Sequence, residues 1–111
     1  MYKLVVEDTV KVPVKFETNN AGKGKAFNFC LICDRLPQDE ITKIFEAGDV
    51  PVVDVLKRVT TGWENQTLVV DDDKKPVEFN ADAFEVMLSL TGIQNVIWIS
   101  YLKEIGAKTK N

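Results

Sequence analysis

Two cysteines three residues apart are the first residues whose spacing could do chemistry. Cys30 and Cys33 form a C-x-x-C, the spacing used by redox pairs and by half of many zinc sites. They fall within residues 26–33, which predict a β-strand, and strand positions three apart point to opposite faces. No second cysteine pair and no histidine is present to complete four zinc ligands. We therefore expect two structural thiols, kept reduced in a cytoplasmic protein.

A glycine- and lysine-rich stretch at residues 22–25, GKGK, superficially resembles a phosphate-binding loop. A P-loop needs the pattern G-x-x-x-x-G-K-[ST] between a strand and a helix, whereas this stretch leads into a predicted strand. Its composition predicts a solvated hairpin tip. Lys23 and Lys25, together with Lys15, would form only a weak anion-binding patch.

Three consecutive carboxylates, Asp71, Asp72 and Asp73, could begin a calcium-binding loop. An EF-hand loop that started at Asp71 would require Gly where Pro76 stands and Glu where Asp82 stands. Runs of like charge usually face water, so the sequence predicts a solvated acidic turn.

The absence of histidine weakens most enzymatic interpretations. Histidine is the side chain most often used as a general base near neutral pH, and it is the commonest metal ligand. Without it no Ser–His–Asp or Cys–His arrangement can form, and no pair of carboxylates stands out from the other charged residues. We expect a protein that is not an enzyme and that has no metal and no cofactor.

The totals describe one soluble domain that does not bind nucleic acid. The 111 residues suffice for one core, and 45% are hydrophobic and 28% charged, close to globular averages. The net charge of −3 opposes nucleic-acid binding. The longest uncharged run, residues 86–102, contains polar residues and is shorter than the roughly 20 apolar residues that span a bilayer. Residues 1–10 lack a signal-type apolar stretch, so we expect a cytoplasmic protein.

The elements that would position these residues begin with a β-hairpin. Residues 10–16 alternate apolar and polar, the pattern of a half-buried strand, and Pro13 places that strand at a sheet edge or turns its nitrogen outward. Residues 17–25 are predicted to form a nine-residue hairpin loop, and residues 26–33 the returning strand. Residues 1–6 could add a third strand.

Helical spacing begins after the hairpin. Residues 37–47 place apolar side chains on one face, and Gly48 supplies a stop. Asp49 is predicted to cap a second helix with Pro51 in its first turn, and the apolar stripe of that helix continues towards Thr61.

A small extended excursion with the acidic turn is predicted between Trp63 and Phe79. Asn80 then caps a third helix at residues 81–90, with Phe79 packing on Phe84 as a hydrophobic staple. We expect Trp63, Phe79 and Phe84 to be core residues.

The fourth helix carries the candidate partner-binding residues. Thr91 and Gln94 have the spacing of a capping box, and the helix is predicted to extend to about Ile105. Its apolar residues cover more of its circumference than one small core requires. Either the helix is central and buried on both sides, or one stripe contacts a partner. The candidates for that contact are Trp98, Tyr101, Leu102 and Ile105.

The resulting fold class is α+β, with an N-terminal β-hairpin or small antiparallel sheet followed by about four short helices. All 111 residues form a single domain: residues 1–35 contain the hairpin, residues 36–106 the helices, and residues 107–111 a flexible tail.

Residues 55–101 resemble the C-terminal half of the tail assembly chaperones of long-tailed bacteriophages. The similar features are a helix ending just before Gly62 and Trp63, an acidic turn, an apolar-Glu-Phe-Asn helix start, and a last helix ending near an aromatic residue. The family often carries a glycine after the acidic residues of the turn, where this chain has Lys74 and Lys75.

The resemblance implies a small protein that binds the apolar, helix-rich tape measure protein, contacts tail tube subunits, self-associates, and is absent from the finished virion. The alternative is a structural tail or connector protein that remains in the virion. A third interpretation, a small nucleic-acid binder, would depend on Lys15, Lys23 and Lys25.

Many family members are also made in a longer form by ribosomal frameshifting. Residues 109–111, Thr-Lys-Asn, could be encoded as ACA AAA AAC, which contains the slippery string A AAA AAC. Reading the gene tests this hypothesis, because a different codon choice without an overlapping downstream frame would remove it.

Overall fold

The computed structural model describes Tyr2 and residues 8–49 and 51–106. The described elements are three strands and four helices: β1 (Thr9–Asn20), β2 (Lys23–Asp34), α1 (Gln38–Glu46), α2 (Val52–Val59), β3 (Thr60–Glu64), α3 (Ala81–Leu88) and α4 (Ile93–Glu104). This is the α+β arrangement that the sequence predicts, a small antiparallel sheet followed by helices. The strand considered for residues 1–6 and the tail at residues 107–111 lie outside the described residues, Tyr2 aside.

The hairpin is longer than predicted, and the nine-residue loop expected at residues 17–25 is wrong. β1 and β2 remain paired out to Asn20 and Lys23, so only Ala21 and Gly22 form the turn. Both turn residues have positive φ, 54° and 88°, which is the backbone of a type I′ hairpin turn. The side chain of Asn19 accepts a hydrogen bond from the Gly22 N–H at 2.8 Å. Polar residues therefore continue the ladder, although no apolar alternation marks them.

The third strand, β3, lies where the sequence predicts the end of the second helix and the start of a small extended segment. β3 pairs antiparallel with β2, with Glu64 opposite Cys30 and Trp63 opposite Leu31. The sheet order is β1-β2-β3, so β1 is an edge strand, as Pro13 predicts. Gly62 lies opposite Ile32, and a Cβ there would sit 3.5 Å from that side chain, within ordinary contact distance.

Of the three N-terminal caps that the sequence predicts, the one for α3 is confirmed and those for α2 and α4 are wrong. Asn80 caps α3 by accepting the Ala83 N–H at 2.8 Å, and the Phe79 and Phe84 rings lie 5.6 Å apart, which confirms the staple. Asp49 does not cap α2, which begins after Pro51, whose carbonyl accepts the Val55 N–H.

The capping box expected for α4 is also wrong. Its N-cap is Gly92, with φ of 88° and no side-chain cap bond, and the Gln94 amide donates instead to the Leu88 carbonyl at 3.1 Å. The chain bends by 109° between α3 and α4 within a few residues. Such a sharp change needs a left-handed residue, which glycine adopts at little cost.

The core lies between one face of the sheet and the helices. Val12 and Val14 of β1, and Phe29 and Leu31 of β2, project from this inner face and are buried. α4 lies against β1, with α2 and α3 beside it. α4 begins beside Phe16, since a Cβ at Gly92 would lie 4.0 Å from the Phe16 ring. Towards its other end, Tyr101 contacts Asp34, which pairs with Thr9 at the opposite end of the hairpin. The described helices therefore cover only part of the inner face.

Candidate partner-binding surface

Three of the four candidate residues lie in α4 and are buried in the core, and the fourth, Ile105, is the residue that ends the helix. Tyr101 is fully buried, Trp98 and Leu102 are buried, and Ile105 is half-buried. The Trp98 ring stacks on Tyr101 at 6.0 Å and contacts Phe45 of α1 at 6.3 Å. The structure thus places α4 centrally, the first of the two arrangements that its apolar circumference allows. Their role in binding a partner stays a prediction, and it would require the core to open.

The hydroxyl of Tyr101 joins α4 to the segment between β2 and α1. It donates to the Asp34 carbonyl at 2.7 Å and accepts the Leu36 N–H at 3.1 Å. Burial raises the pKa of Tyr101 to about 12, because the phenolate would lose its hydration in the core. The neutral Tyr101 hydroxyl therefore connects α4 to the chain at the end of β2.

The segment that resembles the phage family forms one packed unit around three aromatic rings. Trp63 of β3 meets Phe79 edge-on at 5.2 Å and Phe84 of α3 at 6.4 Å. Phe84 is buried, while Trp63 and Phe79 are half-buried against the core, as the sequence predicts. The Trp63 indole N–H donates to the Val77 carbonyl at 3.1 Å.

Gln66 organises the loop of this unit, a role that sequence reasoning missed. It is 3% exposed, and its amide nitrogen donates to the Val69 and Val77 carbonyls at 2.9 and 3.1 Å. Its amide oxygen accepts the Val69 N–H at 2.8 Å. A glutamine in a polar stretch gives no signal of burial, because the partners that satisfy it are assembled only by the fold.

The acidic turn is closed by the first of its carboxylates. The Asp71 side chain accepts the N–H groups of Asp73 and Lys75 at 2.8 and 3.0 Å. Lys74 has φ of 64°, in the left-handed region that favours glycine. In the part of the chain that the structure describes, no cluster of three or more acidic or cysteine side chains could hold a metal ion.

The two cysteines lie on opposite faces of β2, as predicted. Cys33 is buried, with its sulfur 3.6 Å from the Thr60 hydroxyl, and Cys30 is half-buried on the outer face. Burial raises the pKa of Cys33 to about 11, since the thiolate would be desolvated. The pair therefore cannot chelate one ion together.

A recess of about 410 Å³ lies where the helices end beneath the hairpin. We call residues 17–26 the hairpin arm, because almost all of their described side chains are exposed. The apolar lining of the recess comes from β2, the loop after β3, and α3 with its C-terminal turn: Phe27, Leu68, Val69, Val86, Met87 and Leu90. Thr18, Ser89 and Thr91 add polar groups. Val86 is 59% exposed, so the recess presents apolar surface to solvent.

Positive charge borders this recess. Lys25 pairs with Thr18 across the hairpin, and its ammonium lies over the Phe27 ring, 5.2 Å from the centroid. Strand alternation places Lys23 on the same face. The arm carries two lysines and one glutamate in a chain whose net charge is −3. The arm is thus a basic extension of an acidic protein.

Among the described helices, no single one is long and apolar enough to cross a membrane, and α3 and α4 meet the length and composition criteria only as a bent pair. Comparison with protein families, with characterised proteins and with solved structures finds no match for this chain.

Proposed function

We propose that this protein is a bacteriophage tail assembly chaperone that acts in the host cytoplasm. It binds the tape measure protein, keeps that apolar protein soluble while the tail is built, and helps to recruit tail tube subunits. The support begins with the resemblance of residues 55–101, which contain β3, α3 and most of α2 and α4.

The acidic turn carries the proposal furthest. Family members often have a glycine after the acidic residues of this turn, and Lys74 adopts a left-handed backbone there, with φ of 64°. A left-handed residue costs roughly 1–2 kcal/mol when it is not glycine. The turn conformation of this chain is therefore one in which a glycine is favoured, which supports a common backbone despite the different residue.

The surface supports a binding role. The described residues combine a recess lined by both apolar and polar side chains with a lysine-bearing arm, and protein interfaces likewise place polar groups around apolar contacts. These features would suit a protein that shields another protein's apolar segments.

Co-expression with the neighbouring genes, followed by affinity purification of a tagged chain, tests the proposal. We expect a large helical tail protein to be recovered with the chain. Recovery of the chain alone would contradict the proposed function.

Mass spectrometry of purified virions separates the chaperone from the alternative of a structural tail protein. A chaperone should be absent from finished particles. Stoichiometric amounts in virions would replace the proposal with the structural alternative.

A further inference from the structure

Among the residues that the structure describes, no helix lies against the inner face of the hairpin arm, whereas α4 lies against the rest of β1. α4 begins beside Phe16 and runs away from the arm. Of the described segments, the end of α3, the turn that follows it and the loop after β3 meet the arm at the recess. Sheets of this kind bury one face against helices. The two-layer arrangement is therefore incomplete beneath the arm.

The uncovered part of the sheet is wide enough for one helix to lie across it. From Phe16 to Asn20 the hairpin extends by about 14 Å, at about 3.4 Å per residue. A helix with its side chains is about 10–12 Å across. A helix placed there would continue the existing helical layer and would contact Val86 and Leu90 at its edge.

The lining determines which helix would fit. Phe27, Met87 and Leu68 contribute apolar groups to the recess, and apolar side chains of a bound helix would pack against them. Thr18, Ser89 and Thr91 contribute polar groups beside them. Beyond Phe27 the same face carries Lys25 and Lys23, and within the described residues neither lysine makes an ion pair. Carboxylates next to the apolar stripe would meet these ammonium groups.

We propose that the recess beneath the hairpin arm binds a helix of a partner protein, one that presents apolar side chains flanked by carboxylates. The identity of this partner as the tape measure protein rests on the function proposed above, whereas the chemistry of the helix follows from the recess. Val86 supplies apolar contact, and Lys25 and Lys23 fix the orientation of the helix.

Two fluorescent peptides of about five helical turns test this on the full chain. Both carry leucines along one face; one has glutamates beside the leucines and the other lysines. Fluorescence anisotropy should show that the glutamate peptide binds at least about tenfold more tightly than the lysine peptide, because opposite charges meet across the interface. Amide NMR shifts on binding should cluster at Thr18, Phe27 and Val86. Equal binding of both peptides, or shifts elsewhere, would overturn the proposal.

Matched variants separate the recess from general effects. Val86→Gln should weaken binding of the glutamate peptide about tenfold, because it removes buried apolar contact, whereas Ile99→Gln alters an exposed apolar residue of α4 outside the recess and should change nothing. Lys25→Glu should make the lysine peptide bind more tightly than the glutamate peptide. Lys15→Glu, on the outer face of β1, should leave the glutamate peptide the tighter binder. Loss of binding in the control variants, or none in Val86→Gln, would contradict the assignment.

Three further outcomes distinguish failure of the helix-binding proposal from failure of the proposed function. If the wild-type chain dimerises in sedimentation equilibrium and Val86→Gln is monomeric, a second copy fills the recess and the proposal is overturned. If neither peptide binds but the tape measure protein still co-purifies, the proposed function stands and its site lies elsewhere. If the glutamate peptide binds and the tape measure protein does not, the recess is supported and the function is not.

Discussion

Tyr101 joins two parts of the fold through a single oxygen atom. Its hydroxyl satisfies the Leu36 N–H and the Asp34 carbonyl while its ring lies fully buried in the core. A buried backbone N–H without a partner is costly, so this side chain does more than fill volume. The sequence left Tyr101 open between a central helix and a partner surface, because an apolar helix face has the same pattern whether a sheet or another protein covers it.

Tyr101→Phe should lower the free energy of unfolding by about 1–3 kcal/mol, because it leaves the Leu36 N–H unsatisfied. Urea titration followed by circular dichroism measures the change. Tyr2→Phe, at a fully exposed position, is the matched control and should have no effect. Equal stability of the two variants would contradict the role given to the hydroxyl.

The same tyrosine predicts a loss of stability in alkali. Its pKa rises from 10.0 to about 12 on folding, so the unfolded chain releases the proton first as the pH rises. The contribution of the Tyr101 hydroxyl to the free energy of unfolding is therefore complete below pH 10 and is lost between pH 10 and about 12. Urea titrations across this range should show a smaller decline for Tyr101→Phe than for wild type. Both proteins retain Cys33, whose pKa is also raised, so the comparison subtracts the contribution that the two proteins share.

The two cysteines should differ in reactivity towards a thiol reagent. Cys30 is partly accessible on the outer face of the sheet, whereas Cys33 is buried and its pKa is raised to about 11. Mass spectrometry after brief iodoacetamide treatment of the native protein should find one label, on Cys30. Cys30→Ala should abolish it, and rapid labelling of Cys33 in that variant would contradict the burial.

At the scale of elements, the sequence predicts those strands and helices that have a local signal, such as apolar alternation or a capping residue. Alternation in residues 10–16 and the cap at Asn80 both marked real elements. β3 was missed because its five residues, TTGWE, show no apolar alternation and derive their order from pairing with β2. The outer half of the hairpin was predicted as a loop for a related reason. Its polar residues show no alternation, and the hydrogen bonds between β1 and β2 and the tight turn keep them extended.

The turn of the hairpin contains one residue poorly suited to its backbone. Ala21 has φ of 54° in a type I′ turn, where asparagine or glycine is preferred. Ala21→Asn should raise the free energy of unfolding by about 1 kcal/mol, because it relieves the left-handed alanine. Urea titration measures this, and Gly22→Ala, at φ of 88°, should destabilise the protein. A neutral or destabilising Ala21→Asn would contradict the turn assignment.

At the scale of the molecule, the described fold ends in a basic arm whose inner face lies open beside an apolar recess. No sequence pattern could indicate that recess, because Phe27 and Met87 are distant in the chain and only the fold brings them together. The resemblance of residues 55–101 likewise concerns α2, α3 and α4, and it carries no information about the arm.

The solubility of the tape measure protein tests the central claim most directly. It should be expressed from the same genome with and without this chain, and its soluble fraction compared after centrifugation. The account predicts an aggregated tape measure protein alone and a soluble complex containing both proteins when they are co-expressed. An insoluble tape measure protein in both cases, or a soluble one that does not co-purify with this chain, would contradict it.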